Sequence, residues 1–269
     1  IRTKPDVVMT MTLPDGNNLT SLPAFASNTF SWAPDANDIG TYEVNFTAPN
    51  GTYTNFEKIT ITVTAAAIEP VGYWKFEEGS GQFAEDSSGH LNKGTLRNGP
   101  VWGNGMLCFD GVNDWVEVND SNALDITNQI TLSAWVYFDN NPTKYTKIVI
   151  KPHQSYSDPW ELYCLDFGHK HGSSVYNIPR FMITDGVPAG KYGNAYDVNY
   201  TIPTGSWSHI VGTYDGSIAR LYVNGQPIAS NPVTLKIGRN DMPLSIGGRL
   251  GTNDSFNGGV DDVRVYNLP

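Results

Sequence analysis

Oxygen donors concentrate where the chain must turn. Asp86-Ser87-Ser88-Gly89-His90-Leu91-Asn92 offers two side-chain oxygens and permissive backbone carbonyls within one turn; Asp110 stands in Phe-Asp-Gly and Asp262 in Asp-Asp-Val-Arg. Hard cations such as calcium need several oxygens converging from loops, and Asp86, Asn92, Asp110 and Asp262 are the set offered here. Adjacent residues of a regular strand face opposite ways, so Asp261 and Asp262 cannot both address one ion. Asp262 is the expected ligand, with Asp261 solvent-facing or paired with Arg264. The competing reading is that Asp86 and Asn92 close turns through side-chain hydrogen bonds.

A second concentration of chemistry lies between about Lys151 and Thr201, a stretch rich in Tyr, His, Trp and Arg that reads as a long insertion. Aromatic faces stack on the apolar faces of sugar rings, while Asp, Asn and Arg bond to hydroxyls. The candidates are His153, Tyr156, Trp160, His169, Tyr176, Arg180, Tyr192 and Tyr196. Aromatics in long loops also pack their own loop down, which is the plainer role for any one of them. His169-Lys170-His171 would put two imidazoles on one side of a strand, a weak zinc pattern without a clear third ligand. Catalysis is not expected. Glu77-Glu78 and Asp261-Asp262 are adjacent pairs that face opposite ways and make poor acid–base couples, and no nucleophile elbow is present.

These side chains must be held by strands. Runs such as TYEVNFTA, KITITVTA, QITLSAWVYF, HIVGTYDG, ARLYVNG and DDVRVYN alternate with period two and are bounded by Gly, Asn, Asp or Pro. Many short strands with turns between them predict an all-β sandwich or jelly roll with little helix. Tyr214-Asp215-Gly216-Ser217 sits between two such runs, and Asn224-Gly225 follows as a tight-turn pair. Trp74, Phe76, Phe109, Trp115, Trp135, Trp207, Tyr214 and Tyr222 are expected in the core. Cys108 and Cys164 lie in apolar runs, and the sequence leaves a disulfide and two buried thiols equally open.

Composition narrows the partners. The formal charge is −10 and the pI about 4.8, which disfavours phosphate backbones and anionic lipid surfaces, so nucleic acid is excluded. No apolar run approaches the roughly 18 residues of a membrane span, so membrane insertion is not expected. Asn-X-Ser/Thr triplets at Asn18, Asn45, Asn50, Asn119, Asn199 and Asn253 and scarce lysine suggest an exported fragment of a larger protein.

Small residues and a proline at Thr64-Ala65-Ala66-Ala67-Ile68-Glu69-Pro70 mark a boundary, giving domains 1–67 and 68–269. The first contains FSWAPDANDIGTYEVNFTAPN and resembles bacterial and archaeal immunoglobulin-like repeats. The resemblance implies a β-sandwich spacer with Trp32 plugging a small core, Gly40 in a tight turn, and Tyr42, Val44 and Phe46 facing inward. The second carries, in order, GYWKFEEGSG, EDSSGHLNKGTL, LCFDGVNDWVEV, ITLSAWVYF, GSWSHIVGTYDGSIARLYVNGQPI, LSIGG and FNGGVDDVRVYN. This succession resembles the laminin G-like, concanavalin A-like lectin family from end to end. It implies a jelly roll, a structural calcium ion and pairing of the first and last strands, which would bring the Asp86 loop beside Asp262. The expected function is a non-catalytic glycan- or polysaccharide-binding, lectin-like or adhesion module at the cell surface or outside the cell. The alternatives are a structural or protein-binding cell-surface module without glycan affinity, whose partner would be a cell-surface protein, and, behind it, a polysaccharide-active jelly-roll enzyme.

Overall fold

A computed structural model describes residues 8–12, 24–26, 29–34, 38–50, 53–64, 68–142, 144–153, 159–174, 176–249 and 254–269. The chain divides into two compact units, Ile1–Ile68 and Glu69–Pro269. No helix occurs among the described residues, and the strand pairs are antiparallel.

The first unit holds β1 (Val8–Thr12), β2 (Ala24–Ala26), β3 (Thr29–Ser31), β4 (Gly40–Asn50) and β5 (Tyr53–Val63). Its strands form a sheet ordered β1-β4-β5 and a separate β2-β3 pair. Tyr42 and Val44 are buried on alternate positions of β4, as period-two burial requires. Trp32 packs edge-on against Tyr42 at 4.8 Å, and the Tyr42 hydroxyl donates to the Asp38 carbonyl at 2.7 Å. The Phe46 side chain lies outside the description.

The second unit begins with β6 (Gly72–Trp74), β7 (Phe83–Ala84), β8 (Gly94–Arg97), β9 (Val101–Trp102), β10 (Leu107–Asp110), β11 (Trp115–Val118) and β12 (Ile130–Tyr137). It continues with β13 (Thr146–Pro152), β14 (Glu161–Gly168), β15 (Ile178–Thr184), β16 (Tyr192–Ala195), β17 (Ser208–Tyr214), β18 (Ile218–Val223), β19 (Gln226–Pro232), β20 (Leu244–Ile246) and β21 (Asn257–Tyr266). One eight-stranded sheet runs β19-β18-β17-β12-β21-β10-β9, with β6 also on β21; the other runs β16-β15-β14-β13-β20-β11-β8-β7.

Their inner faces enclose one core that includes Trp74, Phe109, Leu132, Val136, Leu165, Phe181 and Tyr214. The sheets approach so closely that a Cβ on Gly212 of β17 would run into the Phe181 ring of β15. Tyr214 ties down the segment after β19: its hydroxyl donates to the Leu235 carbonyl at 2.8 Å and accepts from the Leu235 N–H at 2.9 Å.

Two expectations are corrected. The stretch from Lys151 to Thr201 is not one long loop: its apolar runs WELYCLDF and IPRFMIT form β14 and β15, which with β16 extend the edge of the second sheet. Trp115, Trp135, Trp207 and Tyr222 are not core residues. Ala134, Val136, Leu221 and Val223 take the inward positions of their strands, so Trp135 and Tyr222 face outward, and Trp207 is exposed. Both cysteines are free, Cys108 on the first sheet and Cys164 buried in the second.

Candidate functional site

The first and last strands of the second unit do pair, with Tyr73 opposite Arg264. What this pairing brings together is a tyrosine network. The Asp86 carboxylate accepts from the backbone N–H groups of Tyr73 (2.9 Å), Ser88 (2.9 Å) and Asn92 (2.8 Å) and from the Ser88 hydroxyl (2.8 Å). Asn92 is spent likewise: its side-chain oxygen accepts from the Ser121 hydroxyl, its amide donates to the Val71 carbonyl, and its own carbonyl accepts from the Trp74 indole. Asp110 accepts from the Val112 N–H within its own turn. Asp262, at φ +50°, accepts from the Tyr73 hydroxyl at 2.6 Å and from Arg264 at 3.1 Å.

These donors do not fit calcium. A carboxylate offers about four lone-pair sites, and those of Asp86 already have four donors, while Asp262 faces a guanidinium. Among the described residues no three His, Cys, Asp or Glu side chains form a group able to hold a metal. Carboxylates converge at Asp120 and Asp125, where they meet the ammonium of the fully buried Lys151, and at Asp110 and the buried Asp114, whose Oδ2 accepts from the Asp110 N–H at 3.1 Å. Thermal melts in millimolar calcium and in chelator test whether other oxygens of the chain hold the ion. A site filled at about 100 times its Kd would add about 2.7 kcal/mol and separate them clearly.

The glycan candidates fare differently. Strands β13, β14 and β15 place Lys147, Asp166 and Arg180 side by side in register, on the face turned away from the core that Leu165 and Phe167 enter. Lys147 Nζ donates to Asp166 Oδ2 at 2.6 Å; Arg180 Nε and Nη2 donate to Oδ1 and Oδ2 at 2.8 and 2.6 Å. Burial alone would raise the Asp166 carboxyl, but the two cations prevail and hold it below the usual carboxylate range. Lys147 and Arg180 are in turn held above their ordinary values, chiefly by Asp166 against the opposing effect of burial. Gly168 makes room for this fork, since a Cβ there would lie 2.7 Å from Arg180 Nε.

Above this row opens a cleft of about 620 Å³, lined by Tyr145, Lys147, Trp160, Glu161, Arg180, Met182, Arg249 and Asp254. That volume lies within the roughly 300–1,000 Å³ of ligand clefts. The Arg180 guanidinium covers the Tyr145 ring at 5.0 Å, and Arg249 covers Trp160 at 4.9 Å. Glu161 Oε2 is 3.9 Å from Lys147 Nζ, yet desolvation outweighs that cation and pushes the Glu161 carboxyl up. The Lys147 N–H donates to the Asp254 carbonyl at 3.0 Å, which fixes the cleft's far wall to β13.

A family profile for the concanavalin A-like lectin/glucanases superfamily matches residues 110–269, more than half of the chain and all of the cleft. The chain belongs to that superfamily. Among solved structures, this superfamily member is similar to domain 4 of AbnA, a GH43 extracellular arabinanase from Geobacillus stearothermophilus solved with arabinotriose. The two share 16% identity with a TM-score of 0.53, over 74% of this chain and 92% of that one. It is also similar to Trypanosoma rangeli sialidase, at 15% identity and a TM-score of 0.55, covering 85% of this chain but only 40% of the sialidase. At such identities the likeness is one of fold. No curated protein matches the sequence.

Of the sequence candidates, Trp160 and Arg180 line the cleft of this concanavalin A-like unit. His169 and Tyr176 pack edge-on against Tyr145 at 5.3 and 5.1 Å and so buttress one wall. His153 touches the site only through its backbone N–H, which donates to the Trp160 carbonyl, while its ring lies toward Gly186. Tyr192 is on the edge strand β16 and Tyr196 just beyond it, outside the lining. Tyr156 falls outside the described residues.

Sequence reasoning missed Tyr145, Lys147, Glu161, Asp166, Met182, Arg249 and Asp254. The available signal was a charge inside an apolar run, Lys147 before IVI and Asp166 after YCL. Charges so placed are rarely buried unless paired.

Proposed function

We propose that Glu69–Pro269 is a non-catalytic glycan-binding module of an extracellular multidomain protein, with Ile1–Ile68 as an immunoglobulin-like spacer. The observation that carries this reading is the cleft: Trp160, 43% exposed, and Tyr145 stand over a floor of fixed hydrogen-bond donors on a rigid sheet. Aromatic faces beside oriented donors are what sugar rings require. That the similar arabinanase domain was solved with a bound arabino-oligosaccharide supports the same reading.

Two features argue against catalysis. Glycoside hydrolysis uses a pair of carboxyl groups flanking the bond; here Asp166 is fully buried and locked by two cations, and Glu161, which lines the cleft with Asp254, is itself buried beside Lys147. Among the described residues a serine hydroxyl meets a histidine ring at Ser133 Oγ and His209 Nε2, 2.8 Å apart, on the opposite sheet with Ser133 buried.

The test is a glycan array with the whole chain, followed by titration of the best ligand against Trp160→Ala. Loss of one stacking face is expected to weaken binding about tenfold, roughly 1.4 kcal/mol, with the melting temperature unchanged. A folded protein that binds no glycan would transfer the module to the protein-binding class.

A further inference from the structure

Two lysines of β13 are withdrawn from water, and each meets two acids. Lys147 faces Asp166 and Glu161; Lys151, fully buried, is in contact with Asp120 Oδ1 and lies 3.9 Å from Asp125 Oδ1. The two settings differ in one respect. The Arg180 fork holds Asp166 as a carboxylate, and a carboxylate is a poor electrophile. Among the described residues no arginine forks onto Asp120 in this way.

The second acid of the Lys151 set is placed to move a proton. Asp125 stands between the buried Leu124 and Ile126, and its Oδ1 is sealed from water without a hydrogen-bond partner. Burial and then Asp120 push the Asp125 carboxyl up, with a smaller push from Asp241, against the opposing Lys151 and Arg239. Tyr163 stands near both acids: its hydroxyl donates to the Leu124 carbonyl at 2.8 Å, and burial, followed by Asp125 and Asp120, pushes the phenol up. A fully buried ammonium is costly, and passing one of its protons to Asp120 removes two charges at once. That transfer leaves a primary amine, a good nucleophile once desolvated, against a carboxylic acid. Groups so held react as if at about 10⁵–10⁸ M.

We propose that Lys151 and Asp120 condense into an intramolecular isopeptide bond, with Asp125 relaying the proton. The Nζ lone pair attacks the Asp120 carboxyl carbon and a C–N bond forms. Asp125 takes the proton that the nitrogen sheds and gives its own to the departing hydroxyl; the C–O bond breaks and water leaves. An ammonium and a carboxylate become a secondary amide and one water, nothing is oxidised or reduced, and Asp125 returns to its starting form. The amide joins β13 to the loop between β11 and β12, 31 residues apart in sequence, and spans β20, which lies between those strands in the sheet. It gives the second unit a covalent cross-link of the kind a disulfide supplies elsewhere, in a chain whose two cysteines are free.

The whole chain, produced in bacteria and denatured, is weighed by mass spectrometry. A mass one water below that of the sequence is expected, with a branched proteolytic peptide that contains both Lys151 and Asp120. Asp125→Asn keeps the size of the side chain but cannot relay a proton, and should leave most of the folded chain at full mass. Asp120→Ala should stay at full mass whether or not it folds. A wild-type chain at full mass overturns the proposal, and that reading needs no variant to fold. A lost water mapped instead to an aspartimide at an Asp-Gly pair such as Asp110-Gly111 overturns it as well. Complete cross-linking in Asp125→Asn overturns the part given to Asp125.

Discussion

Asp166→Ala is expected to cost the second unit about 3–5 kcal/mol, because it removes the carboxylate that the buried Lys147 and the half-buried Arg180 both grip. Lys147 would keep only Glu161, at 3.9 Å, and Arg180 would lose both hydrogen bonds of its fork. Urea denaturation followed by tryptophan fluorescence isolates the effect, since of the seven tryptophans only Trp32 belongs to the first unit.

The pH dependence has a defined sign. Asp166 is held below its ordinary value, so its contribution is complete above the unfolded carboxylate pKa of about 3.9 and fades as pH falls through the lowered folded value. The gap between wild type and variant should stay wide at neutral pH and narrow only in strong acid. A gap below about 1 kcal/mol at neutral pH would mean that water reaches the two cations. Replacing all three residues by apolar side chains is a separate matter, since buried ion clusters often exchange for hydrophobic groups without loss. That variant should fold and lose the cleft's ligand.

Gly247→Ala should be nearly as damaging for a different reason. Gly247 follows β20 at φ +77°, where an L-residue costs about 1–2 kcal/mol. Its N–H donates to the Ile148 carbonyl and its carbonyl accepts from Phe256, so the backbone cannot move aside. A Cβ at this point would enter the ring of Phe109, itself 3% exposed. Overpacking adds about 1–3 kcal/mol, for a total near 3 kcal/mol, read as a lower urea midpoint with unchanged slope. Adding Phe109→Leu should return the steric part and leave the dihedral part, which a double-mutant cycle separates. An additive double mutant would show that the ring is not the obstacle.

The sequence disclosed the second unit's architecture because its signals are local. Alternation in QITLSAWVYF, SHIVGTY and ARLYV specifies which face each residue takes, and Asn224-Gly225 supplies the turn between β18 and β19, with Asn224 at φ +50°. The same parity, taken residue by residue, puts Trp135 and Tyr222 outside, whatever the size of their rings. The cleft was harder to read because it is a property of register. Lys147, Asp166 and Arg180 are separated by 19 and 14 residues and meet only once three strands align. A bulge in the β13–β14 pairing further obscures the match. The acidic turns pose the opposite difficulty. Turn carboxylates such as Asp86 look available in sequence because their backbone donors are not written there.

The pairing of β6 with β21 has a mechanical consequence. Tyr73 lies opposite Arg264 and Val265 opposite Gly72, with the Val71 N–H donating to the Val265 carbonyl. The strand entering the second unit near residue 70 and the strand leaving it near residue 267 therefore run antiparallel with their outer ends side by side. Tension applied to those two points would load the bonds one after another, as in opening a zipper, each contributing only about 1 kcal/mol net. Resistance then falls to the Asp86–Asn92 turn, whose bonds to Val71, Tyr73 and Trp74 grip β6 from behind. That acidic turn is the latch that would set the force at which the module begins to peel.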